Sequence, residues 1–302
     1  MLRSAFLLLA LVLPALPADP ASAPRLPHRV VPDWPRLPKG WNLAECSGVA
    51  VDRNDNVWVF NRGAHPVIQF DRDGNFLHEI TESGVQSAHG IKVDPEGHVW
   101  AVDVAGHRLL KFNPLGRLLV VLGWQEGKND DREAFNRPTG LAFAADGGFY
   151  VSDGYVNSRV VKYSRNAEYE YQWGSKGTGD GQFDLVHDVA LDAVGRVYVA
   201  DRTNERIQIF DAKGKFLGKW TGLGAPWGLA YSVREDALYM ADGKNDRVLK
   251  LSLKGEILGV LGSHGKMPGQ FDFAHHIAVD SSGAIYVAEI KNFRVQKFAP
   301  PR

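Results

Sequence analysis

The sequence predicts an all-β chain, folded as a six-bladed β-propeller built from tandem repeats. Three observations carry that prediction. A short apolar strand recurs six times, 40 to 50 residues apart, as GVAVD (48–52), GIKVD (90–94), GLAFA (140–144), DVALD (188–192), GLAYS (228–232) and HIAVD (276–280). Each copy is followed by a turn and then by further short strands, alternating in polarity and rich in β-branched and aromatic residues. A repeat of that length carrying four strands is one propeller blade, so six copies give six blades.

The elements follow in order. The chain begins MLRSAFLLLALVLPALPADPASA (1–23). Arg3 gives a short basic start, Ala5–Leu13 is an apolar run too short to span a bilayer, and small residues follow, which is the pattern of a secretory signal peptide. Residues 24–40 are proline-rich, except for HRVV (28–31), which reads as a strand; the propeller is expected over 41–302. The recurring strands lead into turns RNDN (53–56), PEGH (95–98), ADGG (145–148), AVGR (193–196), REDA (234–237) and SSGA (281–284), where Gly, Asp and Asn suit a chain reversal. Second strands read VWVF, VWAV, FYVS, VYVA, LYMA and IYVA, and third strands VIQF, LLKF, VVKY, IQIF, VLKL and VQKF. A fourth (FLHEI, LLVVL, EYQW, FLGKW, ILGVL) ends every repeat but the last. HRVV is expected to complete that last blade, closing the ring and covering its strand edges.

Composition narrows the function. Of 302 residues, 44% are hydrophobic and 23% charged, enough for a large core and unlike a disordered chain. Lys and Arg total 35, as do Asp and Glu, so no net charge favours nucleic acid or an anionic membrane surface. No second apolar stretch reaches membrane length. An exported, soluble protein is expected, secreted or periplasmic, and a monomer. Cys46 is the only cysteine, which excludes an internal disulfide and a cysteine-rich metal site.

Between second and third strands the repeats carry the NHL pattern: Asp153/Asn157/Arg159, Asp201/Asn204/Arg206, Asp242/Asn245/Arg247 and Glu289/Asn292/Arg294. A pattern present in nearly every blade is read as structural. Its carboxylates are expected to tie each loop to its own blade by charge-assisted hydrogen bonds.

Two sets of positions stand out against this frame. In a propeller the first strand of each blade lines the central channel, and the loop after the second strand returns to the same face. Just before the six first strands stand Ser47, His89, Thr139, His187, Trp227 and His275. Histidine thus occupies alternate blades, about 120° apart by the six-fold count. Three imidazoles with an open fourth position form the ligand set of a catalytic zinc; iron, cobalt or copper use the same donors. The competing reading is three unrelated histidines, each hydrogen-bonded at a strand end. After the second strands, blades one and four carry Arg62 and Arg202, and blade three carries Tyr155. Two guanidiniums suit a substrate carboxylate, and a phenol near a metal and cations suits proton transfer. The alternative is that the arginines pair with nearby acids and the tyrosine packs.

The segments SGVAVDRNDNVWVFNRG, HGIKVDPEGHVWAVDVAGH, VSDGYVNSRVVKYS, GQFDLVHDVALD and ADRTNERIQIF resemble peptidyl-α-hydroxyglycine α-amidating lyase, over about residues 40–300. The resemblance implies zinc on His89, His187 and His275, a tyrosine base at Tyr155, and substrate contacts from Arg62 and Arg202. It also implies a structural calcium on backbone oxygens at Val49 and Ile91. The chain departs from the family at Phe273-Ala274-His275-His276, where the family reads Met-Pro-His-Asp. The active-site methionine has become Phe273, placed among the substrate-binding residues. The aspartate that completes the calcium site has become His276, a poor ligand for a hard cation and a candidate extra ligand for the zinc. A position that is cysteine in the family is Val156. The expected reaction splits an N-acyl α-hydroxyglycine, a small molecule or peptide with a carboxylate, into an amide and glyoxylate. The alternative is a non-catalytic NHL propeller that binds a peptide or small ligand. A lactone hydrolase of the gluconolactonase type shares the fold, but holds its metal mainly with acidic and amide side chains.

Overall fold

The computed structural model describes residues 19–81, 83–124, 126–128 and 131–301. Residues 1–18, most of the expected leader, lie outside the described residues. Among the described residues all regular elements are strands, 24 of them in six four-stranded antiparallel sheets. The innermost strands are Cys46–Val51, Ala88–Val93, Pro138–Phe143, Val186–Leu191, Pro226–Ser232 and Ala274–Val279. Each packs against its neighbour in the next sheet, and the last packs against the first, so the ring closes. The protein is a six-bladed β-propeller.

The blades pack face to face, which explains their sequences. Second strands such as Val57–Asn61 and Val197–Asp201 are buried along their whole length. Six apolar clusters fill the six gaps between blades. One joins Tyr198, Ile207 and Ile209 of blade 4 to Leu238, Met240 and Leu249 of blade 5. Fourth strands lie at the rim and alternate between covered and exposed positions, as in Phe216–Thr221.

Blade 6 comprises Ala274–Val279, Ile285–Glu289 and Arg294–Ala299, with Arg29–Val30 as its outer strand. Arg29 lies opposite Ala299 and Val30 opposite Phe298. The proline-rich segment does more than supply this strand. Leu26 and Pro24 exchange backbone hydrogen bonds with Val260 of blade 5, both at 2.9 Å. Trp34 then buries its ring against Phe70 of blade 1 and Tyr286 of blade 6. One N-terminal segment therefore fastens three consecutive blades where the ring joins.

The repeated Asp-Asn-Arg triplets are structural. Nε of Arg206 donates to Asp201 at 2.6 Å, and its Nη atoms donate to the carbonyls of Thr178, Gly179 and Gln182. Asn204 donates to the same carboxylate. Blades 3, 5 and 6 repeat the arrangement at Asp153, Asp242 and Glu289. Cys46 is a buried thiol whose pKa burial pushes well up, so it packs as a small apolar residue.

One local feature corrects the sequence reading. The six residues placed just before the inner strands lie inside them, each as the second residue. In every blade the register with the second strand shifts at that residue, as between Val186 and Asp188 or between Ala274 and His276. A bulge sets two residues against one on the partner strand and re-aims the side chain. It is this bulge that turns the three histidines toward one another.

Candidate functional site

At one mouth of the channel the imidazoles of His89, His187 and His275 come together. Their ring centroids are 4.8, 4.7 and 4.9 Å apart, a nearly equilateral triangle. One ring nitrogen of each lies within 4.8 Å of those of the other two. All three side chains are buried. Each Nδ1 is taken by a backbone carbonyl: Thr139 for His89 at 2.5 Å, Trp227 for His187 at 2.6 Å and Ser47 for His275 at 2.6 Å. Those acceptors are the residues at the same bulge in the intervening blades. The six positions thus alternate between imidazole donor and carbonyl acceptor. An N–H fixed on Nδ1 leaves Nε2 with its lone pair, the tautomer and orientation a metal ligand needs.

Electrostatics keep the cluster neutral. Burial, the nearby His275 and the Arg62 guanidinium hold His89 well below the usual histidine range. Burial, the other two imidazoles and Arg202 do the same for His187. His275 is pushed down to about 3, chiefly by burial, with both guanidiniums adding to the effect. Three neutral, buried imidazoles with oriented lone pairs fit zinc in donor type and charge.

Tyr155 closes the fourth side. Its phenolic oxygen lies 3.3 Å from Nε2 of His89 and 3.5 Å from Nε2 of His187. Gly154 makes that placement possible: a Cβ there would stand 1.7 Å from the carbonyl oxygen of Val186, which precedes His187. Only a glycine lets the loop of blade 3 lie against blade 4. Above the Tyr155 ring sit the guanidiniums of Arg137 and Arg202, at 5.3 and 5.9 Å from its centroid.

The two expected substrate arginines differ. Arg62 donates through Nε to Ala88 O at 3.2 Å and meets Glu45 at 3.3 Å. Arg202 lies over the Trp227 ring, 4.2 Å from its centroid, and among the described residues pairs with no carboxylate. It faces a groove of about 430 Å³ lined also by Trp227, Phe273, Lys244, Asp246 and Lys291. Phe273 forms one wall, its ring edge-on to Trp227 at 4.3 Å with the Lys291 ammonium 4.8 Å away. Trp227, Arg137 and Glu45 belong to this mouth and were not singled out by the sequence. Trp227 was visible as the one aromatic among the odd-blade positions; the other two carry no repeat signal. A second opening, of about 260 Å³ at the other end of the channel, is lined by apolar strand ends, with Lys92 its one charge among the described residues.

His276 is corrected as an extra ligand. It follows His275 on the same strand, but its imidazole turns deeper into the channel. Nδ1 lies 3.2 Å from the carbonyl oxygen of Val49, and Nε2 lies 3.4 Å from Oδ2 of Asp188. It stands apart from the three converging nitrogens. Burial works against ionisation of Asp188, yet the Lys92 ammonium, the His276 imidazole and the Leu229 amide hold its pKa below the ordinary value. Val49 and Ile91 are fully buried in adjacent inner strands.

Fold and site together define an NHL-type propeller with a histidine-lined mouth. The NHL repeat model matches residues 135–163, 183–210 and 271–298, in blades 3, 4 and 6. NHL repeat-containing protein 3 of Homo sapiens is 33% identical over 300 residues, covering 90% of this chain and 84% of that protein. The chain belongs to the NHL repeat-containing family. It is also 30% identical over 280 residues to peptidyl-alpha-hydroxyglycine alpha-amidating lyase 1 of Drosophila melanogaster, covering 83% of this chain and 44% of that protein. A gluconolactonase structure from Xanthomonas campestris superposes with a TM-score of 0.67 over 93% of this chain and 99% of that one; at 14% identity it shares the fold.

Proposed function

We propose that the protein is a zinc-dependent lyase acting on an N-acyl α-hydroxyglycine. The observation that carries this reading is the joint geometry of three oriented imidazoles, the Tyr155 oxygen beside two of them, and a rim guanidinium that pairs with no carboxylate among the described residues. The homology to an amidating lyase points the same way. His89, His187 and His275 would hold the zinc, which would supply Lewis-acid polarisation of the substrate's α-hydroxyl. Arg202 binds the substrate carboxylate through its planar fork, held in place by the Trp227 ring. Arg62 adds a second positive charge across the mouth and offsets the negative charge that develops as the hydroxyl is deprotonated. Tyr155 takes the hydroxyl proton at its phenolic oxygen. The carbon–nitrogen bond then breaks, the electron pair leaves with nitrogen, and nitrogen takes up a proton. The products are an amide and glyoxylate.

The test is glyoxylate release from α-hydroxyhippurate by zinc-loaded protein, with His187→Ala as the metal-site control. The wild type should carry one zinc and release glyoxylate, and the variant should do neither. Fully zinc-loaded wild type that released none would end the lyase reading. A second reading, a propeller that binds a peptide or small ligand without catalysis, is favoured by the departure from the lyase pattern at Phe273 and His276. Wild type purified without metal and unaffected by added zinc would select it.

A further inference from the structure

One residue deeper than the bulge, the six blades place Gly48, Gly90, Gly140, Asp188, Gly228 and His276. The glycines stand where neighbouring inner strands approach closely. A Cβ on Gly90 would lie 2.6 Å from Thr139 O, one on Gly140 2.4 Å from Oδ1 of Asp188, and one on Gly228 2.9 Å from Cα of His276. Two blades alone carry side chains at this level, and those two side chains meet.

Their partners extend the contact across the ring. Oδ2 of Asp188 accepts from Leu229 N of blade 5 at 2.9 Å, and Oδ1 accepts from Val189 N of its own strand at 2.9 Å. Oδ2 lies 3.4 Å from Nε2 of His276, an electrostatic contact outside hydrogen-bond geometry. Nδ1 of His276 lies against the Val49 backbone of blade 1, 3.2 Å from its oxygen and 3.5 Å from its nitrogen. The run Leu229–Asp188–His276–Val49 therefore links blades 5, 4, 6 and 1, and crosses the joint between the last blade and the first.

The amidating-lyase resemblance places a calcium ion at this level, and the residues present do not fit one. A nitrogen donor stands where the third oxygen ligand is implied, and hard cations take oxygen. The His276 imidazole fills the space beside the Val49 carbonyl. Asp188, the one carboxylate at this level, already accepts two backbone amides. We infer that the Asp188–His276 contact takes the place of the cation as the cross-brace of the channel, so that this propeller holds its ring without calcium. An imidazole with one nitrogen toward each side spans the gap that an ion would otherwise bridge. The inference does not depend on the lyase reading.

Thermal unfolding of the full chain tests it. The wild type, stripped of metal and resupplied with zinc, should melt at the same temperature with and without added calcium chloride. His276→Asp should melt roughly 5–10 °C lower without calcium and recover as calcium is added, because it sets a second carboxylate beside the Val49 carbonyl. A calcium-dependent rise in the wild type, or a folded His276→Asp that ignores calcium, overturns the inference. Asp188→Asn, His276→Asn and the double variant keep the test decisive if His276→Asp does not fold. A brace requires non-additive losses, with the double variant close to either single one; additive losses overturn it.

Discussion

Replacing Tyr155 with phenylalanine removes one oxygen atom and leaves almost everything else. The ring keeps its edge contacts with His89 and His187, at 5.3 and 5.8 Å between centroids, and stays beneath Arg137 and Arg202. The lost contacts are long, 3.3 and 3.5 Å, so their removal costs at most about 0.5–1.5 kcal/mol of stability. Tyr155 is not one of the three converging nitrogen donors, so zinc content should not change. The chemical step is different. A positioned general base contributes about 10²–10⁴-fold, or roughly 3–5 kcal/mol of barrier at about 1.4 kcal/mol per tenfold. The expected result for Tyr155→Phe is kcat for glyoxylate release down by that factor, with KM, zinc stoichiometry and melting temperature near the wild-type values. A variant with full zinc and undiminished kcat refutes the base assignment. One that loses zinc and activity together also refutes it, because the phenol would then act by supporting the metal site.

The two arginines should separate kinetically. Arg202→Ala removes the guanidinium that has no carboxylate partner among the described residues and should raise KM by about 10–100-fold, more than Arg62→Ala, whose target is already paired with Glu45; equal effects in steady-state assays would refute that ranking. Stability of the metal-free protein should fall in acid. Its three cluster histidines stay neutral in the fold down to well below 6.5, and His275 to about 3, while unfolded histidines take up protons near 6.5. The unfolded state therefore binds more protons between those limits. The contribution is whole above pH 6.5 and falls by about 1.4 kcal/mol per pH unit for each histidine below it. Urea midpoints at neutral pH and near pH 5.5 measure this, and His187→Asn should flatten the slope by one proton. Gly154→Ala should push the Tyr155 loop off blade 4, since its Cβ would overlap Val186 O; the expected outcome is a loss of kcat similar to that of Tyr155→Phe with zinc retained, and unchanged turnover would show that the loop need not lie there.

Much of this was legible in the sequence because repetition turns chemistry into a pattern. Six copies of one strand define the blades, and a histidine in every second copy marks a three-fold arrangement on a six-fold frame. The carboxylates of the Asp-Asn-Arg triplets could be set aside for the opposite reason, since they recur in almost every blade. What stayed hidden was backbone. The carbonyls of Ser47, Thr139 and Trp227 orient the three imidazoles, and no side-chain identity reports a carbonyl. The bulge was hidden as well. Strict strand alternation would put His275 and His276 on opposite faces, only one of them toward the axis. Two residues opposing one on the partner strand instead send both toward the axis at successive depths.

The alternation of the histidines has a steric cause as well as a chemical one. The three ring centroids form a triangle with sides close to 4.8 Å. A regular hexagon through the same corners has sides of about 2.8 Å, less than the roughly 3.5 Å at which carbon atoms come into contact. Six rings cannot share this level; three can. The intervening blades must then offer something small or something set beside the rings. Ser47 and Thr139 are small, and the Trp227 ring packs beside His187 and His275 and against Phe273 and Arg202. Those same residues provide the carbonyls that hold the imidazoles. The odd blades are therefore as much a part of the site as the even ones: they make room for the ligands, fix their tautomer, and through Trp227 position the guanidinium that faces the groove.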